Sequence, residues 1–311
     1  MCNVVAAVLL VFAATLGFSQ VSAAPAPIAP QMAITFDDLP AHGPLPPGES
    51  RIEIATKIIA ALHEARVAPV YGFVNGADLE QHPGDEDVLK AWREAGNMLG
   101  DHSWSHMNLN QHSLEEFEAD VNRNQPLLMQ LTKDKNEDWH WFRFPFLAEG
   151  DTSEKRAGIR KFLAQRGYKI AAVTMSFGDY QWNEPYARCK AKGDEKAIAL
   201  LQSSFLSAAE DSISYYRDMS GALYRRDIPY VLLMHIGALD AEMLPRLLRL
   251  YQSKGFEFVT LEKAESNEFY RQDTDPSLPP ASDTLEGLMA DRHLAIPTHV
   301  VPVVQFDTIC R

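Results

Sequence analysis

Asp37 and Asp38 stand side by side at the end of the first strand-like run, Met32-Ala33-Ile34-Thr35-Phe36. Carboxylates there are costly to a core and useful to chemistry. One of such a pair can hold a cation while the other moves a proton. Three further segments carry residues of similar promise: His102-Ser103-Trp104-Ser105-His106, Arg143-Phe144-Pro145-Phe146 and Leu233-Met234-His235. On a helical turn, the spacing of His102 and His106 puts both imidazoles on one face, close enough to share an ion. Adding the Asp38 carboxylate gives a two-histidine, one-carboxylate set with open positions, suited to zinc or a similar divalent ion. Such an ion acidifies a bound water and polarises a carbonyl. Asp37 then serves as general base, since a carboxylate beside a cation stays ionised. The plainer readings are a turn ahead of Pro40 for the aspartates and a chance pair for the histidines.

His235 interrupts the apolar run Val231-Leu232-Leu233-Met234. It reads either as a core histidine with a satisfied hydrogen bond or as a general acid that protonates a leaving amine. Arg143 lies in an aromatic run with Trp139, Trp141, Phe142, Phe144 and Phe146. If buried it needs a carboxylate, and Asp37 and Asp179 are the candidates. Trp104, Tyr180 and Trp182 could stack on a sugar ring or simply pack. His42, in a Pro/Gly-rich loop close to Asp38, borders this set.

The elements that must position these residues alternate. Strands are expected at 32–36, 70–74, 98–101, 139–144, 169–175, 230–234 and 256–261. Helices are expected at 87–95, 113–131, 154–165, 195–224 and 239–252, with another after the Ser50/Glu53 capping box. Ser113 and Glu116 make a second box, and Gly96 and Gly167 are helix stops. About seven β/α units point to an α/β chain, a distorted parallel (β/α) barrel in a single domain. Sites in such folds form at the C-terminal strand ends, where each of the polar residues above falls. After residue 265 the pattern fades into a Pro- and Asp-containing tail.

Bulk properties narrow the class. The 311 residues are 46% hydrophobic with a net charge of −13. With no basic run, a nucleic acid partner is not expected. Residues 1–23 read as an export signal ending in a small-residue cleavage pattern, although they lack a basic n-region; a membrane anchor is the rival, but the run is short for a span. Residues 24–30 form a stiff Pro/Ala linker. The mature protein is expected in the periplasm or secreted, without stable membrane insertion. Cys189 and Cys310 would then be free to pair and tie the tail, 266–311, to the body, or they are unrelated thiols.

With these residues in hand, the chain over roughly 31–265 resembles the polysaccharide deacetylases with a NodB-homology domain, the fourth family of carbohydrate esterases. Thr35-Phe36-Asp37-Asp38 resembles that family's first motif, which implies Asp37 as base and Asp38 as metal ligand. His102-Ser103-Trp104-Ser105-His106 resembles the second, two metal-binding histidines. Arg143-Phe144-Pro145-Phe146 resembles the third, which implies that Arg143 orients the base and that the N–H of Phe146 meets the oxyanion. Leu233-Met234-His235 resembles the fifth, which supplies the acid. Asp179-Tyr180 is the nearest match to the fourth, with Asp179 as partner of Arg143 or His235. Phe146 stands where the family usually has Tyr, and Leu39-Pro40-Ala41-His42-Gly43 replaces its usual loop. The resemblance implies one divalent ion, most simply zinc, and a carbohydrate substrate: an N-acetylated amino sugar, as in chitooligosaccharide or peptidoglycan, or an O-acetylated xylan. The alternatives are a hydrolase of a small amide or cyclic ureide and a non-catalytic carbohydrate binder.

Overall fold

The computed structural model describes residues 29–134, 137–280, 284–299 and 304–311. The segment 1–23, expected to be an export signal, and most of the expected 24–30 linker lie outside these. Seven parallel strands form one curled sheet: β1 (Gln31–Leu39), β2 (Tyr71–Val74), β3 (Met98–Asp101), β4 (Trp141–Phe142), β5 (Lys169–Ile170), β6 (Tyr230–His235) and β7 (Glu257–Phe258). Their order is β5-β4-β3-β2-β1-β6, with β7 also on β1. A lone parallel bridge, Met175 to Leu232, joins the chain beyond β5 to β6. It links the two ends of the strand order, so the sheet curls as the distorted barrel expected.

β1 is central because its sequence suits burial on both sides. Met32, Ala33, Ile34 and Phe36 are all buried, the near-continuous apolar run of an inner parallel strand. Its register against β6 runs from Met32–Tyr230 to Asp37–His235, which sets the two polar side chains on adjacent strands at the same height. β2 meets β3 at Val74–Asp101, and β3 meets β4 at Asp101–Phe142. The rim is therefore levelled by backbone pairing alone. Helices pack outside, and both capping boxes form, Ser50 with Glu53 and Ser113 with Glu116. Gly96 and Gly167 take positive φ just past their helices, as helix stops require.

Three strands are shorter than their sequences suggest, and in each case side chains take over ladder positions. Upstream of β4, the Asp138 carboxylate accepts from the N–H of His140, and Pro145 downstream has no N–H to give. Beyond Ile170, the carbonyls of Ala171 and Ala172 accept from Arg143, and the N–H of Ala172 goes to Glu265. The chain then crosses to β6. Beyond Phe258, Thr260 caps the helix Leu261–Glu265, which ends β7 early.

The stretch 195–224 is one continuous helix, Glu195–Tyr224. Before it lies a helix absent from the sequence reading, Asn183–Lys192, closed by Gly193 at φ 65°. The tail has its own order: Tyr270, Leu285 and Met289 are buried. Cys189 and Cys310 form a disulfide, and the Arg188 guanidinium donates to the carbonyls of Phe306 and Ile309. Among the described residues, no helix is long and apolar enough to cross a membrane.

Candidate active site

Asp37 and Asp38 point to different partners because β1 breaks between them. The β1–β2 register shifts between Phe36 and Leu39, and Asp38 takes φ 61°. A bulge of this kind re-aims a side chain at a strand end.

Asp37 is buried and meets Arg143, whose Nη1 donates to Oδ1 at 3.0 Å. Arg143 is itself buried and fully engaged, through Nε to the carbonyl of Ala171 at 2.8 Å and through Nη2 to Thr35 Oγ1 at 3.1 Å. The Phe73 ring faces the guanidinium. Of the two partners open to Arg143 from the sequence, the fold selects Asp37. A buried cation whose three nitrogens all donate hydrogen bonds is fixed in position, and so is the carboxylate against it.

Asp38 faces the histidines. Its Oδ1 lies 3.3 Å from His106 Nε2 and 3.5 Å from His102 Nε2. This oxygen is buried and accepts no hydrogen bond of normal geometry among the described residues. His102 Nδ1 lies 2.7 Å from the carbonyl of Arg143, which requires the Nδ1–H tautomer and turns the Nε2 lone pair inward. That arrangement is typical of a metal-ligating histidine. The three donors lie close enough to hold one metal ion, and an orphaned acceptor between two imidazoles fits a divalent cation.

The two histidines are not on a helical turn. They flank a loop in which Ser103 has φ 60° and His106 φ 54°. Asp101 holds the start of that loop through the N–H of Ser103, and Asn75 Nδ2 holds the carbonyls of His102 and Ser103. Asp120 holds Ser105 by backbone and hydroxyl. Spacing alone could not bring the imidazoles together; these polar tethers do.

His235 closes the rim from the other side. Asp179 Oδ2 accepts from its backbone N–H at 2.6 Å, and Asp179 Oδ1 lies 3.0 Å from Nδ1. Asp179 thus serves His235 and not Arg143. It lies well past β5, at the start of a short 3-10 helix, Asp179–Trp182.

Asp240 and Asn183 stand behind this pair and were not evident from sequence. Asn183 Nδ2 donates to Asp240 Oδ2 at 2.7 Å, and Asn183 Oδ1 accepts from the N–H of Leu239. Gly237 makes room, since a Cβ there would meet the Asn183 side chain at 2.1 Å. The one available signal was an acid in the first helical turn after His235.

His42 also belongs to the site and not merely to its border, with Nδ1 2.7 Å from Asp38 Oδ2. A histidine four residues after a carboxylate, in a loop, was the hint. The aromatic residues separate. Phe146 is 63% exposed and Tyr180 49% exposed, and they sit against His106 at 4.5 Å and His235 at 5.3 Å. Trp182, a candidate for stacking on a sugar or for packing, is core: it is buried, donates to Ser204 Oγ and packs on Phe205 and Phe306. Trp104 lies against Gly76 and under Arg123, so it packs too.

The electrostatics divide the site. Burial opposes charge on Asp38, but His102 and His42 hold its pKa well below the ordinary value. Burial, against the pull of Asp38, lowers His106 to about 4, leaving it neutral and able to donate a lone pair. Burial also disfavours charge on His102, but Asp37 and Asp38 raise its pKa. On the far side burial again opposes charge on His235, yet Asp179 raises it to about 10. Behind it, burial and then Asp179 push Asp240 well above the carboxylate range. One side is set to receive a cation and the other to keep a proton.

No curated protein matches the chain. Among solved structures, a CE4 family pseudoenzyme from Bacillus anthracis, BA3943, aligns at TM-score 0.51 and 15% identity over 76% of this chain and 66% of its own. A mutant of BA3943 with restored enzymatic activity aligns at TM-score 0.51 and 17% identity, over 76% and 68%. The peptidoglycan deacetylase PdaC from Bacillus subtilis aligns at TM-score 0.49 and 18% identity, over 78% and 94%. The BA3943 structures share the fold. The polysaccharide deacetylase family model matches residues 25–169, a span that holds Asp37, Asp38, His102, His106 and Arg143, and over that span this chain is similar to the polysaccharide deacetylases.

Proposed function

We propose that this protein is a metal-dependent hydrolase that removes acetyl groups from a carbohydrate. The observation that carries the reading is the convergence of three separate devices on one rim: Asp37 on Arg143, Asp38 with two histidines, and His235 on Asp179. Asp38, His102 and His106 would hold one divalent ion, and two imidazoles with one carboxylate favour zinc. When bound, the ion supplies a Lewis acid that polarises the acyl carbonyl and makes water easier to deprotonate.

The chain's own residues do the rest. Asp37 Oδ1 is tied to Arg143, and its Oδ2 lies 3.7 Å from His102 Nε2, so it faces the ion site as a base for the attacking water. The N–H of Phe146 would stabilise the oxyanion; Phe146 takes φ 58° in the turn after Pro145. His235, with Nδ1 held by Asp179, keeps Nε2 to protonate the leaving group. A divalent ion beside Asp38 would lower the His235 pKa from about 10 towards the working range. The exposed rings of Phe146 and Tyr180 flank the rim and suit stacking on a pyranose face.

The substrates that fit are N-acetylated amino sugars, as in chitooligosaccharide or peptidoglycan, and O-acetylated xylan, since the leaving group does not alter the ligands. Export to the periplasm or medium accords with the apolar segment at 1–23 and with the Cys189–Cys310 disulfide. The test is acetate release from acetylated chitin oligomers, peptidoglycan fragments and acetylxylan, with and without chelator. Release that chelator abolishes and zinc restores is expected. Release from none sinks the substrate class, and chelator-insensitive release sinks the metal.

A further inference from the structure

The loop after the paired aspartates departs from its family pattern, and it brings His42 into the site. His42 is fixed from several sides. Arg51, the first residue of the helix Arg51–Glu64, donates to the carbonyls of His42 at 3.0 Å and Gly43 at 2.5 Å. Gly43 turns the chain at φ 65°, where an added Cβ would stand 3.4 Å from Asn183 Cβ. The imidazole lies 4.7 Å from that of His235 and 6.3 Å from the Tyr180 ring. Its Nδ1 lies 2.7 Å from Asp38 Oδ2.

We propose that His42 is a positioning residue that makes Asp38 a one-oxygen metal ligand. With Asp38 ionised, the contact at 2.7 Å is an Nδ1–H donating to Oδ2. That bond satisfies the outer oxygen and fixes the carboxylate rotation. The inner oxygen, Oδ1, lies between His106 and His102 and accepts no hydrogen bond of normal geometry among the described residues. A carboxylate held in this way binds through one atom and leaves the remaining positions of the ion for water and substrate. Supporting hydrogen bonds of this kind typically account for 10–100-fold in metal affinity. Arg51 acts one step further out by pinning the backbone that carries the imidazole. His42 lies within reach of both Asp38 and His235, and those three could instead hold a second ion; the short contact favours the hydrogen bond.

The proposal rests on Asp38, His102 and His106 as ligands, so its test reads metal binding and not turnover. Apoprotein is titrated with zinc by calorimetry for wild type, His42→Ala and His42→Asn, and the bound zinc is counted. One ion per chain is expected, with affinity weakened about 10–100-fold in His42→Ala. The amide N–H of His42→Asn stands near Nδ1 and should recover most of the loss, which a merely structural lesion would not allow. Unchanged affinity in His42→Ala overturns the proposal, and so do equal losses in both variants or two ions per wild-type chain. No zinc bound by wild type removes the ligand reading itself, and the positioning role with it.

Discussion

The two sides of the rim are built from the same residue types and do opposite things. On one side Asp38 is held well below the ordinary carboxylate range and His106 stays neutral, with a pKa of about 4. Around His235 the imidazole holds its proton to about 10, and Asp240 holds one as well. Burial opposes charge on both sides, so desolvation alone does not separate them. What does is the neighbour. Imidazoles surround Asp38, whereas a second carboxylate stands behind the one that grips His235. The cation side is thus a lone-pair store and the acid side a proton store.

The largest effect should come from the residue between them. Asp37→Asn removes the base and keeps its shape, so kcat should fall about 10²–10⁴-fold while zinc affinity barely moves. A fully active variant would show that Asp37 takes no proton. Next, His106→Ala and His235→Ala should both abolish most turnover but separate in metal binding. Zinc affinity should fall in His106→Ala by more than the roughly 10–100-fold typical of a supporting hydrogen bond, and it should hold in His235→Ala. Equal losses in both would merge the two sides into one ligand set and break the distinction.

The legibility of the site follows the same division. Asp37, Asp38, His102, His106, Arg143 and His235 each sit at or just beyond a strand end, where periodicity and sequence order point. The choice of partners was not legible, because it depends on where the chain goes after a strand stops. Arg143 ends β5 by taking the carbonyls of Ala171 and Ala172, and the chain is sent across to β6. Asp179 therefore arrives beneath His235, 56 residues away in sequence. Asp240, Asn183 and Gly237 complete that side by contacts that no local pattern encodes. Trp182 stayed open for a related reason: an aromatic at the end of a short 3-10 helix can face in or out, and Ser204 and Phe306 drew it inward. The cation side, set on β1, β3 and their loops, was closer to a reading of motifs.

A pH profile sharpens the contrast on the acid side. Asp179 is the charge that raises His235 against its burial. In Asp179→Asn that support is lost, so the His235 pKa falls. Turnover requires the protonated imidazole, and a lower pKa means that the proton leaves at lower pH. The alkaline limb of kcat should therefore move towards acid by roughly 1–3 units. Activity near pH 5 should suffer least, and zinc affinity at fixed pH should stay unchanged. An unshifted limb would mean that another group supplies the proton.

The smallest effect on catalysis should come from the tail, and it should again fall on one side only. Phe306 meets Trp182 edge-on at 4.7 Å, and Trp182 ends the same short helix that Asp179 begins. Arg188 and the Cys189–Cys310 disulfide tie that tail segment to the helix Asn183–Lys192. Asn183, at the start of that helix, holds Asp240. The tail thus braces the supports of His235 and has no comparable hold on His102 or His106 among the described residues. Cys310→Ser should lower stability by roughly 2–5 kcal/mol, seen as a lower urea midpoint. Well below that midpoint kcat should drop only a few-fold, with zinc affinity unmoved. Phe306→Ala, which keeps the disulfide, should reproduce the kcat loss with a smaller stability cost. If zinc affinity fell in step with kcat in both variants, the tail would be bracing the whole rim, and the two sides would not be mechanically separate.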